Sequence, residues 1–345
     1  MKIKDYVSKY DTENQFEVMI KYYEQVQNAW SSKLEFTDNL SENISNIVIT
    51  GLGGSAIAGD LLREFLKDEL KIPLLVNRNY SLPKYADQNS LCIFSSYSGN
   101  TEETVEALES AINNGCKIIC VSTGGKIAEL AKLNNIPCVQ LVKGYQPRYA
   151  LGSSFFTLLK ILAHLNLIAN QDDIVNAIIN LWKEKGEELA QEDNKAFNYA
   201  RNLIGYIPVI YSGADITSAL GYRFKCEFNE NSKLNAFHNV IPEMNHNEIT
   251  GWETYESEQF RTVVLLILDE SYHSQVKKRF EIISDLIKRQ KVEIITIESN
   301  ETSFKLRLMD LIYLTDWISY YLGILRGKDP SEIDNIKFLK NALTS

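Results

Sequence analysis

The feature that most limits how this chain can fold is an alternation of short apolar runs with longer amphipathic segments. β-Branched runs such as residues 47–49 are followed by glycine or serine turns and then by residues with helical spacing. Parallel strands need a crossover connection, usually a helix, so this alternation predicts parallel sheets covered by helices. The predicted strands are residues 46–50, 73–76, 91–94, 117–121, 137–141, 207–211, 261–268 and 292–297.

The strand pattern stops after residue 141 and resumes at residue 207, which predicts two α/β domains. The residues between have helical spacing, and a length of 345 residues allows two cores of ordinary size. Short connections between alternating strands and helices predict a doubly wound parallel sheet in each domain. We place the first domain over residues 1–165 and the second over residues 166–345.

Helices are also expected at both ends of the chain. Residues 1–45 are polar and helical in tendency, which predicts a helical N-terminal cap on the surface. Residues 331–343 predict a C-terminal helix. The predicted fold class is therefore α/β, with two doubly wound parallel-sheet domains, an N-terminal helical cap and a C-terminal helix.

The net charge limits the classes of partner. A formal charge of −9 argues against non-specific binding to nucleic acid or to anionic membranes, but a local positive site can still bind an anionic small molecule. No apolar run approaches the length of a membrane span, and the N-terminus has no apolar leader. We therefore expect a soluble, cytoplasmic protein with no nucleic-acid or membrane partner.

Cysteine and histidine spacing predicts neither disulfides nor a metal site. Cys92, Cys116, Cys120 and Cys138 lie in or beside apolar runs, which predicts buried free thiols in a reducing compartment. The four histidines include no spaced pair of metal ligands, so we expect no metal and no other cofactor. His164 lies on an apolar helix face and is expected in the core.

Two strand-to-helix turns carry groups that suit a phosphate. Residues 51–55 (Gly-Leu-Gly-Gly-Ser) follow the first predicted strand, and Ser96, Ser98 and Thr101 follow the third, with Gly99 allowing a tight turn. Helix N-termini at the carboxyl edge of a parallel sheet bind anions through backbone N–H groups and hydroxyls. The alternative is that these hydroxyls only cap their helices.

The motifs discriminate among phosphate ligands. The sequence contains no Gly-x-x-x-x-Gly-Lys-Ser/Thr, which argues against a P-loop nucleotide site. Residues 51–56 loosely match the dinucleotide fingerprint, but residues 76–79 (Val-Asn-Arg-Asn) lack the acidic residue that an NAD site needs after the second strand. A compact phosphate monoester bound by hydroxyls fits the sequence better.

Residues 228–251 concentrate carboxylates, histidines and amides with little apolar periodicity. Buried polar groups cost stability unless each has a partner, so the stretch is not explained as scaffold. A solvated loop is the alternative. Because the same chain supplies a phosphate cradle, we interpret the stretch as functional.

Several motifs resemble one known family. Residues 96–104 (Ser-Tyr-Ser-Gly-Asn-Thr-Glu-Glu-Thr) resemble the signature of the sugar isomerase (SIS) domain, which by itself indicates only a fold and a phosphosugar. Residues 51–62, 144–152, 229–233 and 245–248 together resemble the bifunctional phosphoglucose/phosphomannose isomerases. The resemblance implies two SIS-like domains that interconvert glucose 6-phosphate, and also mannose 6-phosphate, with fructose 6-phosphate.

The resemblance also implies catalytic roles. Glu230 matches the base that moves a proton between C1 and C2 through a cis-enediolate, and His246 matches a histidine that opens the sugar ring. That histidine reaches the active site of the neighbouring subunit, which implies a homodimer. Arg148 would stabilise the enediolate, and Lys340 matches an active-site lysine. From the residues alone, Glu230 could instead pair with Lys233. Arg148 could bind phosphate or form a surface salt bridge, and Lys340 could be solvated.

Substrate binding is implied for the two glycine and serine turns. The hydroxyls would hold the phosphate, and the two glycines would admit the sugar closely. Ser331 resembles a small hydroxyl residue linked to mannose tolerance, and His238 lies outside the matching blocks without an assigned role. The residues that the resemblance assigns to substrate binding are Gly53, Gly54, Ser55, Ser96, Ser98 and Thr101.

Two other functions are weighed against an isomerase of hexose 6-phosphates. A phosphosugar-sensing regulator that binds without chemistry predicts a helix-turn-helix or basic arm, and residues 1–45 offer neither convincingly. A glucosamine-phosphate isomerase usually carries an amidotransferase domain that begins with a cysteine, and no such domain is expected here.

Overall fold

The computed structural model describes residues 2–36, 38–256 and 259–344. The chain forms two compact units: an N-unit, Lys21–Lys183, and a C-unit, Met1–Ile20 with Glu184–Ser345. This division differs from the predicted boundary after residue 165. Aromatic packing explains the difference, because Phe16 lies edge-on to Trp317, with ring centroids 5.4 Å apart, in the C-unit. Tyr22 packs on Trp182, with ring centroids 5.7 Å apart, in the N-unit.

The regular elements follow the predicted alternation. The helices are α1 (Ile3–Tyr10), α2 (Gln15–Ile20), α3 (Tyr22–Ser31), α4 (Gly53–Phe65), α5 (Glu102–Asn113), α6 (Gly125–Leu133), α7 (Leu151–His164), α8 (Asp172–Leu189), α9 (Lys195–Asn202), α10 (Ser218–Glu230), α11 (Ser274–Arg289), α12 (Phe304–Leu325) and α13 (Asp334–Thr344). The strands are β1 (Asn46–Thr50), β2 (Leu74–Asn77), β3 (Ser90–Ser96), β4 (Lys117–Ser122), β5 (Cys138–Gln140), β6 (Ile207–Gly213), β7 (Phe237–Ile241), β8 (Thr262–Ile267) and β9 (Glu293–Ile297). Short 3-10 turns cover Asp38–Ser41, Pro147–Ala150, Glu243–His246 and Glu248–Trp252.

Each unit contains one parallel sheet, which confirms the predicted fold class. The N-unit sheet has the order β2-β1-β3-β4-β5, and the C-unit sheet has the order β7-β6-β8-β9. All paired strands run parallel. In the N-unit the direction of winding reverses between β1 and β3, and such a switch point opens a crevice outside the carboxyl ends of the two strands.

The N-terminal residues are helical, as predicted, but they are not a surface cap. Met19, Tyr22 and Val26 are fully buried. α3 packs along α7, where Gly152 lets Gln25 approach the helix backbone closely. The aromatic and aliphatic residues spaced through this segment therefore belong to the cores of the two units.

The polar stretch at residues 228–251 is partly scaffold, which corrects the interpretation of it as wholly functional. It contains the end of α10, two 3-10 turns and β7, an edge strand that the sequence analysis missed. The sequence of β7, Phe-His-Asn-Val-Ile, is interrupted by histidine and asparagine and so lacks the continuous apolar run of a buried strand, in keeping with its place at the edge of the described sheet.

Two predictions of burial are wrong. Cys92 and Cys120 are buried as expected, but Cys138 is exposed, because β5 is the edge strand of its sheet. His164 is exposed rather than in the core, and one nitrogen of its ring lies 2.8 Å from the carbonyl oxygen of Phe36. It is the last residue of α7, where the helix leaves the core.

His238 makes the stability of the C-unit depend on pH. Its imidazole lies 2.8 Å from the Ser212 hydroxyl and against Gly221 of α10, where a Cβ would lie 2.4 Å from Nε2. Burial, with a smaller contribution from the charge of Lys225, lowers the pKa of His238 from 6.5 to about 4. As the pH falls through this range, the unfolded chain binds a proton that the folded chain does not, so stability is lost.

We expect the wild type to lose roughly 2 kcal/mol more stability than His238→Gln between pH 7 and pH 4.5. Glutamine keeps a hydrogen-bonding group for Ser212 but does not titrate in this range. Urea unfolding of both proteins at the two pH values measures the difference. Parallel stability curves for the two proteins would contradict the burial of a neutral imidazole.

Candidate functional site

The carboxyl ends of β1 and β3 bring the predicted phosphate-binding turns together in the N-unit. β1 and β3 are paired along their length, so residues 51–55 and 96–101 emerge side by side at the switch point. The Tyr97 N–H donates to the Ser55 hydroxyl over 3.2 Å, and the Ser96 and Thr101 hydroxyls lie 2.9 Å apart. The structure thus groups Ser55, Ser96 and Thr101 in one crevice.

Backbone N–H groups donate to three serine hydroxyls of this crevice. Ser55 accepts from Tyr97, Ser96 accepts from the Gly99 N–H over 3.1 Å, and Ser98 accepts from the Asn100 N–H over 3.3 Å. A hydroxyl that accepts a hydrogen bond still has its own proton to donate. The Ser96 and Thr101 hydroxyls bond to each other, so one of their two protons is already donated. A phosphate has only acceptors at its charged oxygens and could take the remaining hydroxyl protons.

Helix capping does not account for these hydroxyls. Thr101 is the N-cap residue of α5, but within the described residues its side chain accepts no capping hydrogen bond from that helix. Ser55 lies inside the first turn of α4, whose N-cap position is Leu52. Neither Thr101 nor Ser55 therefore caps its helix through its side chain, so a purely structural role as a cap does not explain these hydroxyls.

Glycines allow the turns of this crevice to pack closely. Gly99 has φ +73, and a Cβ there would lie 1.7 Å from the Gly124 carbonyl oxygen. A Cβ on Gly51 would lie 2.6 Å from the Ser95 carbonyl oxygen. Gly53, with φ +51, has open space around its Cβ position, in keeping with close access of a ligand.

Gly54 is needed for close packing within the N-unit, a role that differs from the predicted one of admitting a sugar. A Cβ there would lie 2.7 Å from the Pro147 carbonyl oxygen. The glycine therefore lets the 3-10 turn Pro147–Ala150, which carries Arg148, pack on the first turn of α4. Arg148 is 3 % exposed, which rules out a surface salt bridge, and its guanidinium lies 5.3 Å from the centre of the Tyr149 ring.

Tyr97 is a residue of this crevice that the sequence analysis did not single out. Its hydroxyl donates to the Val142 carbonyl and accepts from the Tyr145 N–H, each over 2.9 Å, while its own carbonyl accepts from the Thr123 hydroxyl. Burial raises the pKa of Tyr97, so the donor proton stays in place. The one feature of the sequence that pointed to this structural role is that Tyr97 lies between Ser96 and Ser98 in the signature motif.

The C-unit places Glu230 at the C-terminal end of α10. Glu230 is half-buried and lines a cavity of about 370 Å³ together with Asn229, Lys233 and residues 332–336. The cavity contains carboxylates, amides and one ammonium group, and it opens beside the start of α13. Ile333 and Ile336 also line it, so the predicted base lies in a concave setting of mixed polarity where a ligand atom could approach it.

The other predicted residues of the C-unit lie in different surroundings. His246 is exposed at the end of the 3-10 turn Glu243–His246, and Lys340 is exposed on α13. Ser331 is 3 % exposed, and within the described residues its hydroxyl has no hydrogen-bond partner. The exposure of His246 leaves its imidazole accessible to another chain.

The motif at residues 245–248 is partly structural. Glu248 accepts from the Tyr211 hydroxyl over 2.5 Å and from the Asn239 amide over 2.6 Å. Burial and the neighbouring Glu248 carboxylate raise the pKa of Tyr211, so the tyrosine remains a donor. Arg279 of α11 donates to the Asn245 side chain over 3.2 Å. These contacts fix the backbone on both sides of His246.

Metal-binding clusters and membrane-spanning helices are both absent from the part of the chain that the structure describes. Within the described ranges, no three or more His, Cys, Asp or Glu side chains form a group that could hold a metal ion. None of the described helices combines the length and apolar character that crossing a membrane requires.

We expect Gly54→Ala to destabilise the protein by about 1–3 kcal/mol, because its Cβ would press on the backbone of Pro147. Gly251→Ala is the matched control, since its Cβ meets no atom within 4 Å. Denaturant unfolding of the two variants measures the difference. Equal stability of both variants would show that α4 and the Arg148 turn are not packed as described.

Comparisons with known proteins identify the domain families that this chain matches. A family model for the SIS domain matches residues 41–158, and one for the bacterial phospho-glucose isomerase C-terminal SIS domain matches residues 192–343. A hypothetical protein from Thermus thermophilus shares the fold, with a TM-score of 0.75, 13% identity, and coverage of 99% of this chain and 92% of its own.

Two curated relatives carry the same name. The bifunctional phosphoglucose/phosphomannose isomerase of Caldicellulosiruptor bescii is 39% identical over 333 residues, which is 95% of this chain and 98% of the relative. The protein of the same name from Aquifex aeolicus is 38% identical and covers 86% of this chain and 90% of its own. The chain belongs to the bifunctional phosphoglucose/phosphomannose isomerase family, built from two SIS domains.

Proposed function

We propose that this protein interconverts glucose 6-phosphate, and also mannose 6-phosphate, with fructose 6-phosphate through a cis-enediolate. The observation that carries the proposal is the crevice at β1 and β3, where backbone N–H groups donate to the hydroxyls of Ser55, Ser96 and Ser98 and hold them in place. Such a crevice suits a phosphate monoester, because the hydroxyl protons that are not used within the crevice can be donated to the charged oxygens; Ser96 and Thr101 share one of their two protons with each other.

In this proposal Glu230 is the base. Its carboxylate takes the proton from C2 of the aldose and delivers it to C1, while the proton of the C2 hydroxyl passes to the C1 oxygen, so that the C1 aldehyde becomes an alcohol and C2 becomes a ketone. The half-buried position at the end of α10 gives the carboxylate a fixed place without closing it off from a ligand. No cofactor is needed, since the reaction moves hydrogen within one molecule.

Three further residues have supporting roles in the proposal. Arg148 stabilises the developing enediolate oxygen with its guanidinium charge. His246 opens and closes the sugar ring, which needs a group that can donate or accept a proton. Lys340 assists at the same site. We further propose a cytoplasmic homodimer in which the exposed His246 of each chain completes the site of its partner.

One site can serve both aldose substrates. Glucose 6-phosphate and mannose 6-phosphate differ only in configuration at C2, and removal of the C2 proton gives the same enediol from either. A site with room for rotation about the C2–C3 bond can therefore protonate or deprotonate both faces.

A sensing protein of the same fold is the second candidate. It would bind the phosphosugar through the same hydroxyls but would have no use for a carboxylate in a cavity beside α13. The surroundings of Glu230 therefore favour the enzyme over the sensor.

We expect Glu230→Gln to lower kcat by about 1,000-fold or more with each hexose 6-phosphate while leaving KM within severalfold, since an amide cannot take the proton. Glu332→Gln is the matched control, because Glu332 lines the same cavity and is exposed. A coupled assay of fructose 6-phosphate formation, run with and without a chelator, gives both constants. Full activity of Glu230→Gln would refute its role, and a chelator-sensitive activity would refute the cofactor-free mechanism.

Removal of one cradle hydroxyl tests the phosphate site separately. We expect Ser96→Ala to raise KM for fructose 6-phosphate by about 10- to 100-fold, because a hydrogen bond to a charged group contributes roughly 1.5–3 kcal/mol. Ser110→Ala, on the neighbouring helix α5, should leave KM unchanged. An unchanged KM in Ser96→Ala would place the phosphate elsewhere.

A further inference from the structure

The chain leaves the end of α10 through a residue with unusual backbone geometry. Lys233 has φ +50, in the left-handed region that residues with a side chain rarely adopt. Lysine has no special tolerance for this region, unlike glycine or asparagine. A glycine would adopt this conformation at lower cost, but it would lose the contacts that the lysine side chain makes.

The ammonium group of Lys233 bridges two backbone carbonyls. It donates to the carbonyl of Glu230 over 2.7 Å and also to the carbonyl of Asp329. An ammonium has three donors on a single nitrogen, so it can hold two carbonyl groups at once. The first carbonyl belongs to the proposed base, and the second belongs to the turn that follows α12.

That turn is itself held in place. The Asp329 carboxylate accepts from the Ser331 N–H over 2.8 Å and from the Thr12 hydroxyl. Through its carbonyl and its carboxylate, Asp329 therefore links Lys233, the start of the α13 segment and the N-terminal residues of the C-unit. Lys233 therefore connects the backbone of Glu230 to a turn that is itself held by hydrogen bonds, rather than to an unconstrained loop.

Charge also favours a cation at this position. The last carbonyls of an α-helix have no partner within the helix and carry the negative end of its dipole. Glu230 is the last residue of α10, so its carbonyl is one of these groups. A lysine that donates to it offsets the partial charge and satisfies the acceptor, which a neutral side chain does less well.

We propose that Lys233 is a positioning residue for the isomerisation: its ammonium joins the Glu230 and Asp329 carbonyls, so that the base keeps its position relative to the turn before α13. The inference rests on the proposed function of Glu230. Lys233 itself takes no part in proton transfer. Loss of the bridge frees the end of α10 and lets the carboxylate move from its position, which lowers the rate of the chemical step more than the affinity for substrate.

The test compares Lys233→Met, Lys233→Arg and the control Lys328→Met in the coupled assay. Lys328 is exposed in the turn after α12, and its replacement makes the same change in net charge. We expect Lys233→Met to lower kcat by about 10- to 100-fold with KM within about 3-fold, since small misplacements of a catalytic group have effects of this size. Arginine, which keeps the charge and the donors, should restore much of the kcat, and Lys328→Met should match the wild type.

Lys233→Gly separates positioning from folding. Glycine adopts φ +50 without strain, so this variant should retain the unfolding temperature of the wild type within a few degrees, yet should show the same loss of kcat. If a folded Lys233→Met or Lys233→Gly protein keeps wild-type kcat, the inference is overturned while the proposed function stands. If the wild type lacks isomerase activity, the proposed function fails first.

Discussion

The position of the proposed base depends on a buried arginine. Arg223 of α10 makes a two-pronged contact with Asp316 of α12, with hydrogen bonds of 2.9 and 2.8 Å, and a third contact of 3.0 Å with Glu227. All three side chains are at most 3% exposed. Because buried charges are strongly unfavourable without partners, the last turns of α10 have only one favourable place against α12.

The same network continues to the residues that follow the base. Asn231 donates to Glu227 and to the Ser319 hydroxyl, and Ser232 donates to the Ser319 carbonyl. A Cβ on Gly323 would lie 2.4 Å from the Asn231 carbonyl oxygen, so that close approach also requires a glycine on α12. The motif at residues 229–233 thus places one accessible carboxylate among residues that anchor the chain.

In the proposed function, recognition and chemistry use different kinds of position. The hydroxyl crevice lies at helix N-termini, where N–H groups and the helix dipole favour a phosphate. Glu230 lies at a helix C-terminus, where its own backbone carbonyl accepts from Lys233 and the two residues that follow it donate to Ser319 of α12 or to Glu227. At the crevice and at the end of α10, hydrogen bonds within the protein satisfy backbone groups. Side-chain atoms such as the Glu230 carboxylate are therefore available to a ligand.

The sequence alone predicted the parallel sheets, because buried parallel strands are continuous apolar runs. It failed in two places. Tyr22 in the core was taken for a surface residue, because tertiary contacts bury it without leaving a local pattern, and β7 was missed, because it is an edge strand that is only partly buried. Within the candidate site, residue types and spacing pointed to the hydroxyls and to Glu230. They could not show that Gly54 serves the Arg148 turn, or that Glu248 is held by Tyr211 and Asn239, since both depend on partners distant in sequence.

The most direct test of this account is a crystal structure with fructose 6-phosphate bound. The account predicts the phosphoryl group within hydrogen-bonding distance of the Ser96 and Ser98 hydroxyls, with C1 and C2 of the sugar next to the Glu230 carboxylate. A phosphoryl group bound away from those serines, or sugar carbons beyond the reach of Glu230, would contradict it.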